Sequence, residues 1–148
     1  MAFRGYFDNT LDVKNRLTIP AKLRHLLAEG VVVALQRDAQ RAVAIWSTPD
    51  YNEHLASMLG AMNPLSADYA RLERFSNAYA NEVELDAAGR VMLPAKLLEL
   101  AGLGREVAVI GAGNRLEVWD RAAWNEHGED LRDSAQHIGP GTANGHTA

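Results

Sequence analysis

The chain has 148 residues, no cysteine and a formal net charge of −4 at pH 7. The lack of cysteine excludes disulfides, thiolate metal sites and cysteine nucleophiles. No apolar run reaches the roughly 18 residues that cross a bilayer, and the opening MAFRGYFDNT has no signal-peptide profile, so we expect a cytoplasmic protein with no membrane partner. Charge is uneven, because residues 1–41 hold seven basic side chains against four acidic ones. The positive end of the protein is therefore predicted in the first part of the chain.

The sequence contains an internal repeat, and the same predicted elements follow each other in the same order in both copies. LDVKNRLTIPAKL at residues 11–23 returns as LDAAGRVMLPAKL at residues 85–97. Each copy is followed by a short leucine-rich helical stretch, two β-rich runs, and a tryptophan leading into a helix that opens YNEH or WNEH. We predict one module over residues 7–54 and a second over residues 81–126. Because about 45 residues bury too little surface to fold alone, the modules should pack as one pseudo-two-fold unit.

The segments outside the modules have a different character. Residues 55–80 form a linker region with the turn-forming GAMNPL and a helix whose N-cap is Ser66. That helix has an apolar stripe, formed by Tyr69, Leu72, Phe75 and Tyr79. Residues 133–148 contain almost no large apolar side chain and are predicted to be a disordered tail. The whole pattern indicates a mainly β protein with short helices, of the α+β class.

Both copies keep an aspartate and, four residues later, an arginine in a short loop between two strands. Just before each arginine stands Asn15 or Gly89, the residue types that most readily adopt a positive φ. The aspartate can accept backbone N–H bonds across such a loop or hold the arginine. The residues predicted to shape the turns are Asp12, Asn15, Asp86, Gly89 and Arg90. An internal Asp–Arg salt bridge is the structural alternative to a binding role.

The proline after each turn fits the first position of a helix, where a missing N–H costs nothing. With Pro20 and Pro94 at that position, the N-caps would be Ile19 and Leu93. Neither residue type caps a helix well.

Basic side chains concentrate around the first turn. They are Arg4, Lys14, Arg16, Lys22 and Arg24. In the second copy Ala88 and Leu98 replace Lys14 and Arg24, and we expect Leu98 on a surface that another module covers.

Several segments carry a family resemblance: FRGYF, LDVKNRLTIPAKLR, MNPL, ELDAAGRVMLPAKLLELAGL, and LEVWD with WNEH. In this order they resemble the MraZ family of transcriptional regulators, whose two modules are of the SpoVT-AbrB type. The resemblance covers about residues 3–127 and places Asp12, Arg16, Asp86 and Arg90 on the family's motif positions.

The resemblance implies two AbrB-like β-barrel modules with swapped hairpins and a ring-shaped homo-oligomer. It also implies sequence-specific binding to double-stranded DNA at short promoter-proximal direct repeats. On that basis the residues predicted to bind DNA are Arg4, Lys14, Arg16, Lys22 and Arg24. The first copy is then predicted to read DNA and the second to build the assembly. The expected role is a nucleoid-associated regulator, with repression as the expected mode, acting upstream of the division and cell-wall gene cluster that includes its own gene.

Two other function classes were weighed. A protein-interaction or antitoxin-like module of the same fold is the alternative. An enzyme is not predicted, because the sequence has no paired carboxylates, no Ser/His/Asp arrangement and no phosphate-binding glycine loop. No cofactor or metal is predicted either, since Glu53-His54 and Glu126-His127 lack a second histidine at i+4. The aromatic residues Trp46, Tyr51, Trp119 and Trp124 are expected to be core anchors.

Overall fold

A computed structural model describes residues 2–38 and 41–140. The described chain forms a six-stranded sheet, a separate two-stranded sheet and five helices. The strands of the first repeat are β1 (Tyr6–Thr10), β2 (Arg16–Thr18), β3 (Val31–Leu35) and β4 (Ala42–Ser47). Those of the second are β5 (Ala80–Val83), β6 (Arg90–Met92), β7 (Glu106–Gly111) and β8 (Leu116–Asp120). The helices are a 3₁₀ helix (Ala21–Leu27), α1 (Thr48–Gly60), α2 (Ala67–Ala78), α3 (Ala95–Ala101) and α4 (Arg121–Ala135). The predicted α+β class, with sheet as its main component, is confirmed.

The two repeats exchange strands. The six-stranded sheet has the order β1-β7-β8-β4-β3-β5, so the first strand of each repeat pairs with the hairpin of the other. The second strands β2 and β6 pair with each other to form the two-stranded sheet. If each element is replaced by its repeat equivalent, the strand order reads the same from the opposite edge. Neither repeat completes a sheet of its own, which explains why the unit is written twice.

One continuous core lies between the six-stranded sheet, the two-stranded sheet, the 3₁₀ helix and α3. Leu17 and Val91, the central residues of β2 and β6, are fully buried and face this core. Alternation along a strand then turns the flanking residues of β2 and β6 outward. The core thereby sets which side of the two-stranded sheet meets solvent.

The other face of the large sheet is covered by α1 and α4. Trp46 packs edge-on against Tyr51, and Trp119 against Trp124. Both strand-end tryptophans, Trp46 and Trp119, are only 4% exposed, which confirms them as core anchors. Ser47 and Ser66 accept N-cap hydrogen bonds at the starts of α1 and α2, the latter as predicted.

Several boundaries differ from those expected from sequence. Helix α1 continues to Gly60, so the module boundary predicted at residue 54 falls inside a helix. Helix α4 continues to Ala135, so residues 133–135 are helical and not part of a disordered tail. Residues 141–148 of the predicted tail lie outside the described residues. Along the described ranges, no helix is both long and apolar enough to cross a membrane.

The prolines correct a second expectation. Pro20 and Pro94 are the N-caps of the 3₁₀ helix and α3, not their first helical residues. Ile19 and Leu93 precede the caps and are fully buried. Their apolar side chains therefore serve the core, and neither helix has a side-chain hydrogen bond at its N-cap.

Candidate nucleic-acid interface

The first turn is built around the Asp12 carboxylate. Its Oδ1 accepts hydrogen bonds from the backbone N–H groups of Lys14 and Arg16, both at 2.9 Å. Its Oδ2 accepts from the Arg16 Nε at 2.7 Å. Asn15 adopts a φ of 60°, and its N–H donates to the Asp12 carbonyl at 3.0 Å. Asp12 thus holds both the loop backbone and the arginine, the two roles that the sequence left open.

The second turn has the same geometry. Asp86 Oδ1 accepts from the N–H groups of Ala88 and Arg90 at 2.9 and 2.8 Å, and Oδ2 accepts from the Arg90 Nε at 2.8 Å. Gly89 supplies the positive φ, at 77°. Because every one of these bonds spans at most four residues, the turn is a local structure set by the Asp-x-x-x-Arg spacing.

These hydrogen bonds favour the ionised carboxylates. The backbone N–H of Arg16, together with its guanidinium and the N–H of Lys14, lowers the pKa of Asp12 from 3.8 to about 2. The backbone N–H of Arg90 and then its guanidinium lower the pKa of Asp86 in the same way. Both turns therefore keep their ion pairs throughout the neutral range.

Each ion pair uses only one corner of the guanidinium. The Nε is bound to the aspartate, while the two terminal nitrogens of Arg16 and of Arg90 donate to no other group among the described residues. The arginine side chains are 29% and 34% exposed. Such a guanidinium has a fixed orientation and a two-pronged donor edge, which suits a phosphate or the O6 and N7 atoms of guanine.

The two turns lie at opposite ends of the two-stranded sheet. At one end the N–H of Ile19 donates to the carbonyl of Gly89 at 2.8 Å, and at the other the N–H of Leu93 donates to the carbonyl of Asn15 at 2.9 Å. Each turn therefore packs against the strand end of the other repeat. We call the outward side of β2 and β6 the ribbon face; its side chains are Arg16, Thr18, Arg90 and Met92.

Arg24 was expected beside the first turn, but the structure places it on the second. Its guanidinium occupies the space that a Cβ of Gly89 would need, and its Nε donates to the carbonyl of Ile19 at 2.9 Å. The cause is strand exchange, because the 3₁₀ helix begins where β2 ends, next to the opposite turn. Arg24 therefore adds its charge to the turn of Arg90.

Leu98, the repeat equivalent of Arg24, also differs from expectation. It is 8% exposed and belongs to the core of its own chain. Leu98 is consequently covered within its own chain, and it marks no surface that is open to a second chain. The reason given for assigning assembly to the second repeat is therefore wrong, and the two turns have equivalent geometry.

The remaining predicted basic residues do not gather at one point. Lys14 is exposed in the first turn, where Arg16 is half-buried. The Lys22 ammonium lies 5.2 Å from the centre of the Phe7 ring on β1. Arg4 lies beside Gly111, at the end of the β1–β7 pair that is opposite to the first turn. The structure thus separates Arg4 from the first turn.

Sequence reasoning missed Arg105 as a neighbour of the first turn. Its Nη1 donates to the Asp12 carbonyl at 2.7 Å, and its own carbonyl accepts from the N–H of Leu11 at 2.8 Å. No local pattern points to this contact, since it depends on the pairing of β1 with β7. Arg105 is exposed and adds a further cation beside Lys14.

The histidines of the two Glu-His pairs have a packing role. His54 stacks on Trp46 with ring centres 4.6 Å apart, and His127 on Trp119 at 5.0 Å. Burial, and then the charges of Arg115 and Arg37, lower the pKa of His54. Across residues 2–38 and 41–140, no three potential metal ligands lie close enough to hold an ion.

One cavity beside the Trp46 and His54 rings is less suited to a functional site than the ribbon face. A cavity of about 260 Å³ lies between the sheet, α1 and α2. The Arg115 charge at its wall is offset by Glu117, whose Oε2 lies 2.7 Å from Nη2. Tyr51 donates to the Ser76 carbonyl at 2.6 Å and ties α1 to α2 there. The ribbon face, with its oriented arginines, is the stronger candidate.

The fold and this site define a tandem-repeat α+β protein in which two equivalent Asp–Arg turns flank one β-ribbon. A sequence model of the family described as "MraZ protein, putative antitoxin-like" matches residues 2–76 and 77–138. The chain belongs to this family. Curated members are named as transcriptional regulators and not as enzymes, so the chain is a transcriptional regulator.

Individual relatives support the assignment. The transcriptional regulator MraZ of Paenarthrobacter aurescens (strain TC1) is 43% identical over 127 residues, which are 84% of this chain and 85% of the relative. That of Salinispora tropica is 38% identical over 144 residues, or 97% and 99% of the two chains. That of Mycoplasma mycoides subsp. mycoides SC is 32% identical over 123 residues, or 83% and 90%.

Proposed function

We propose that this transcriptional regulator binds double-stranded DNA with the ribbon face and its two flanking turns. The observation that carries the proposal is the orientation of Arg16 and Arg90 by Asp12 and Asp86, at 2.7 and 2.8 Å. Each aspartate fixes the orientation of one guanidinium through its Nε. The two terminal nitrogens of that guanidinium are left to donate to a ligand. A pair of oriented arginines on one exposed strip suits base edges in a major groove.

The charges around the strip divide into two roles. Arg16 and Arg90 are half-buried and held in place, so they are suited to reading base edges. Lys14 and Arg105 are exposed at the first turn and suit phosphate oxygens, which position a protein without reading sequence. This local concentration of cations favours DNA despite the net charge of −4 of the whole chain.

The proposal includes the swapped-hairpin barrel and a ring-shaped homo-oligomer. The exchange of β1 and β5 between the repeats supports the first of these. Several chains in a ring would present several ribbon faces to short direct repeats, each bound repeat raising the effective concentration for the next. Such a protein would associate with the nucleoid and repress the division and cell-wall gene cluster that includes its own gene.

Fluorescence anisotropy with DNA from upstream of its own gene tests DNA binding. Affinity should fall steeply as salt rises from 50 to 200 mM, because phosphate contacts release counterions (about 0.9 per contact). Arg16→Ala and Arg90→Ala should each weaken specific binding by roughly 1 to 3 kcal/mol per contact. Arg71→Ala is the matched control, since Arg71 is an exposed arginine on α2 paired with Asp68. Equal affinity for upstream and unrelated DNA would refute sequence-specific binding.

Assembly and repeat dependence need separate measurements. Light scattering at micromolar concentration should give a multiple of the chain mass. A single monomer species would contradict the proposed ring-shaped homo-oligomer. Binding to an array of repeats should be cooperative and tighter than binding to one repeat. A reporter fused to the upstream region should be more active in cells that lack the protein; lower activity would contradict repression.

A further inference from the structure

We infer that Thr18 and Met92 determine the direction in which the ribbon face reads an asymmetric DNA site. This inference rests on the proposed function. In the pairing of β2 with β6, Arg16 lies directly opposite Met92, and Thr18 directly opposite Arg90. The ribbon face therefore consists of two cross-strand pairs, each formed by the arginine of one repeat and a different residue type of the other.

The two pairs are related by the exchange of the repeats. Arg16 is the equivalent of Arg90, and Thr18 is the equivalent of Met92. A face with identical pairs would contact a DNA segment equally well in both directions. The arginines and their aspartates have the same geometry in both repeats, so they do not distinguish one direction from the other. Thr18 and Met92 are the members of the ribbon face that differ.

Thr18 and Met92, the two positions that differ between the repeats, also differ in chemistry. Met92 is 51% exposed, although its side chain is apolar and the core lies on the opposite side of β6. An exposed apolar group beside an arginine suits a base pair with a thymine methyl, whereas the Thr18 hydroxyl can donate to or accept from a base edge. Thr18 is exposed too, and its carbonyl accepts from Asn9 Nδ2 at 2.9 Å, which holds its backbone in place.

Other differences between the repeats are less suited to this role. Lys14 against Ala88 is a difference at the turn, where an exposed lysine would bind phosphate and carry no base information. Arg24 against Leu98 is a difference beside the turn, and the Arg24 Nε is already bound to Ile19. A two-stranded ribbon fits the major groove, which is about 12 Å wide, so Thr18 and Met92 are placed to reach base edges.

Uracil substitution tests the methyl contact. Each thymine of one repeat is replaced in turn by uracil, which removes only the 5-methyl group, and the affinity of each duplex is measured. One position should lose about fourfold in affinity, the equivalent of one buried methyl group. Met92→Ala should lose a similar factor on the thymine duplex and become insensitive to uracil at that position. Leu65→Ala, an exposed leucine away from the ribbon, is the matched control and should change neither.

A directed cleavage experiment tests orientation. The chain has no cysteine, so Ala88→Cys gives a single attachment point for an iron chelate at the second turn. Hydroxyl-radical cleavage should fall on one side of each repeat. With T18M and M92T combined in that background, cleavage should move to the other side or become equal on both. Thermal melting of all variants checks that they fold, as expected for exposed positions.

The outcomes separate the inference from the function beneath it. If the Ala88→Cys protein prefers upstream DNA but the swapped variant still cleaves on the original side, the directional role is overturned. Uracil sensitivity that persists in Met92→Ala overturns the methyl contact, even if the swapped variant does not fold. If the unmodified protein shows no preference for upstream DNA, the proposed function itself fails.

Discussion

The guanidinium of Arg24, in the first repeat, lies directly on Gly89, in the turn of the second repeat. It fills the space in which a Cβ of residue 89 would stand, and Gly89 has a φ of 77°. Two independent conditions thus favour glycine at this position: the left-handed backbone and the arginine above it. The contact joins the charge of one repeat to the turn of the other.

Gly89→Ala should destabilise the protein. The left-handed backbone alone costs a non-glycine residue about 1 to 2 kcal/mol, and the contact with Arg24 adds to this. Combining Gly89→Ala with Arg24→Ala should recover the part of the lost stability that is due to the contact and leave the part due to the backbone. Urea unfolding of Gly89→Ala, Arg24→Ala and the double variant measures both parts. Gly60→Ala is the control, because nothing lies within 4 Å of a Cβ there, and its effect should be neutral or stabilising.

Acid should destabilise the protein partly through Asp12. The pKa of Asp12 is about 2 in the folded state against an ordinary 3.8, so the unfolded state takes up the proton first as pH falls. The contribution is complete above about pH 5 and lost progressively on the way to pH 2. Asp12→Asn should flatten this part of the curve of unfolding free energy against pH. Asp68→Asn, from the exposed pair with Arg71, should leave the slope unchanged; a similar flattening there would contradict the assignment.

Tyr51→Phe should loosen the attachment of α2. The Tyr51 hydroxyl donates to the Ser76 carbonyl at 2.6 Å, and Ser76 is buried. Removing the donor leaves a carbonyl without its partner, at a cost of about 1 to 3 kcal/mol. Hydrogen exchange of the α2 amides should accelerate more than that of the β3 amides. Tyr79→Phe is the control, because Tyr79 is 37% exposed. Unchanged exchange of the α2 amides in Tyr51→Phe would contradict a role of this hydrogen bond in holding α2.

Leu98→Ala should cost about 2 to 4 kcal/mol of unfolding free energy, since Leu98 is a core residue of its own chain. Leu100→Ala, two residues along the same helix and 38% exposed, should cost less than about 1 kcal/mol. Chemical denaturation at two protein concentrations makes the measurement. If the loss at Leu98 appears only where chains associate, the leucine belongs to an intermolecular surface after all.

Much of the candidate site could be predicted from local sequence. Asp12 and Arg16 lie four residues apart, and the bonds that join them close within that span, as do those of Asp86 and Arg90. The positive φ required before each arginine is met by asparagine or glycine. The helix stop at Gly102, with a φ of 68°, is local for the same reason. Short-range hydrogen bonds and backbone preferences depend on neighbours in the chain, so a pattern of residue types indicates them.

The partners of those turns could not be predicted in this way. Arg24 is close to Arg16 in sequence but lies on Gly89, and Arg105 reaches Asp12 from the other repeat. Both contacts follow from the exchange of β1 and the pairing of β2 with β6. By itself, the sequence determined the repeat, the two Asp–Arg turns and the alternation that buries Leu17 and Val91. Only the tertiary structure decided which repeat completes which turn, because strand pairing is a long-range choice made by the shared core and not by any one segment.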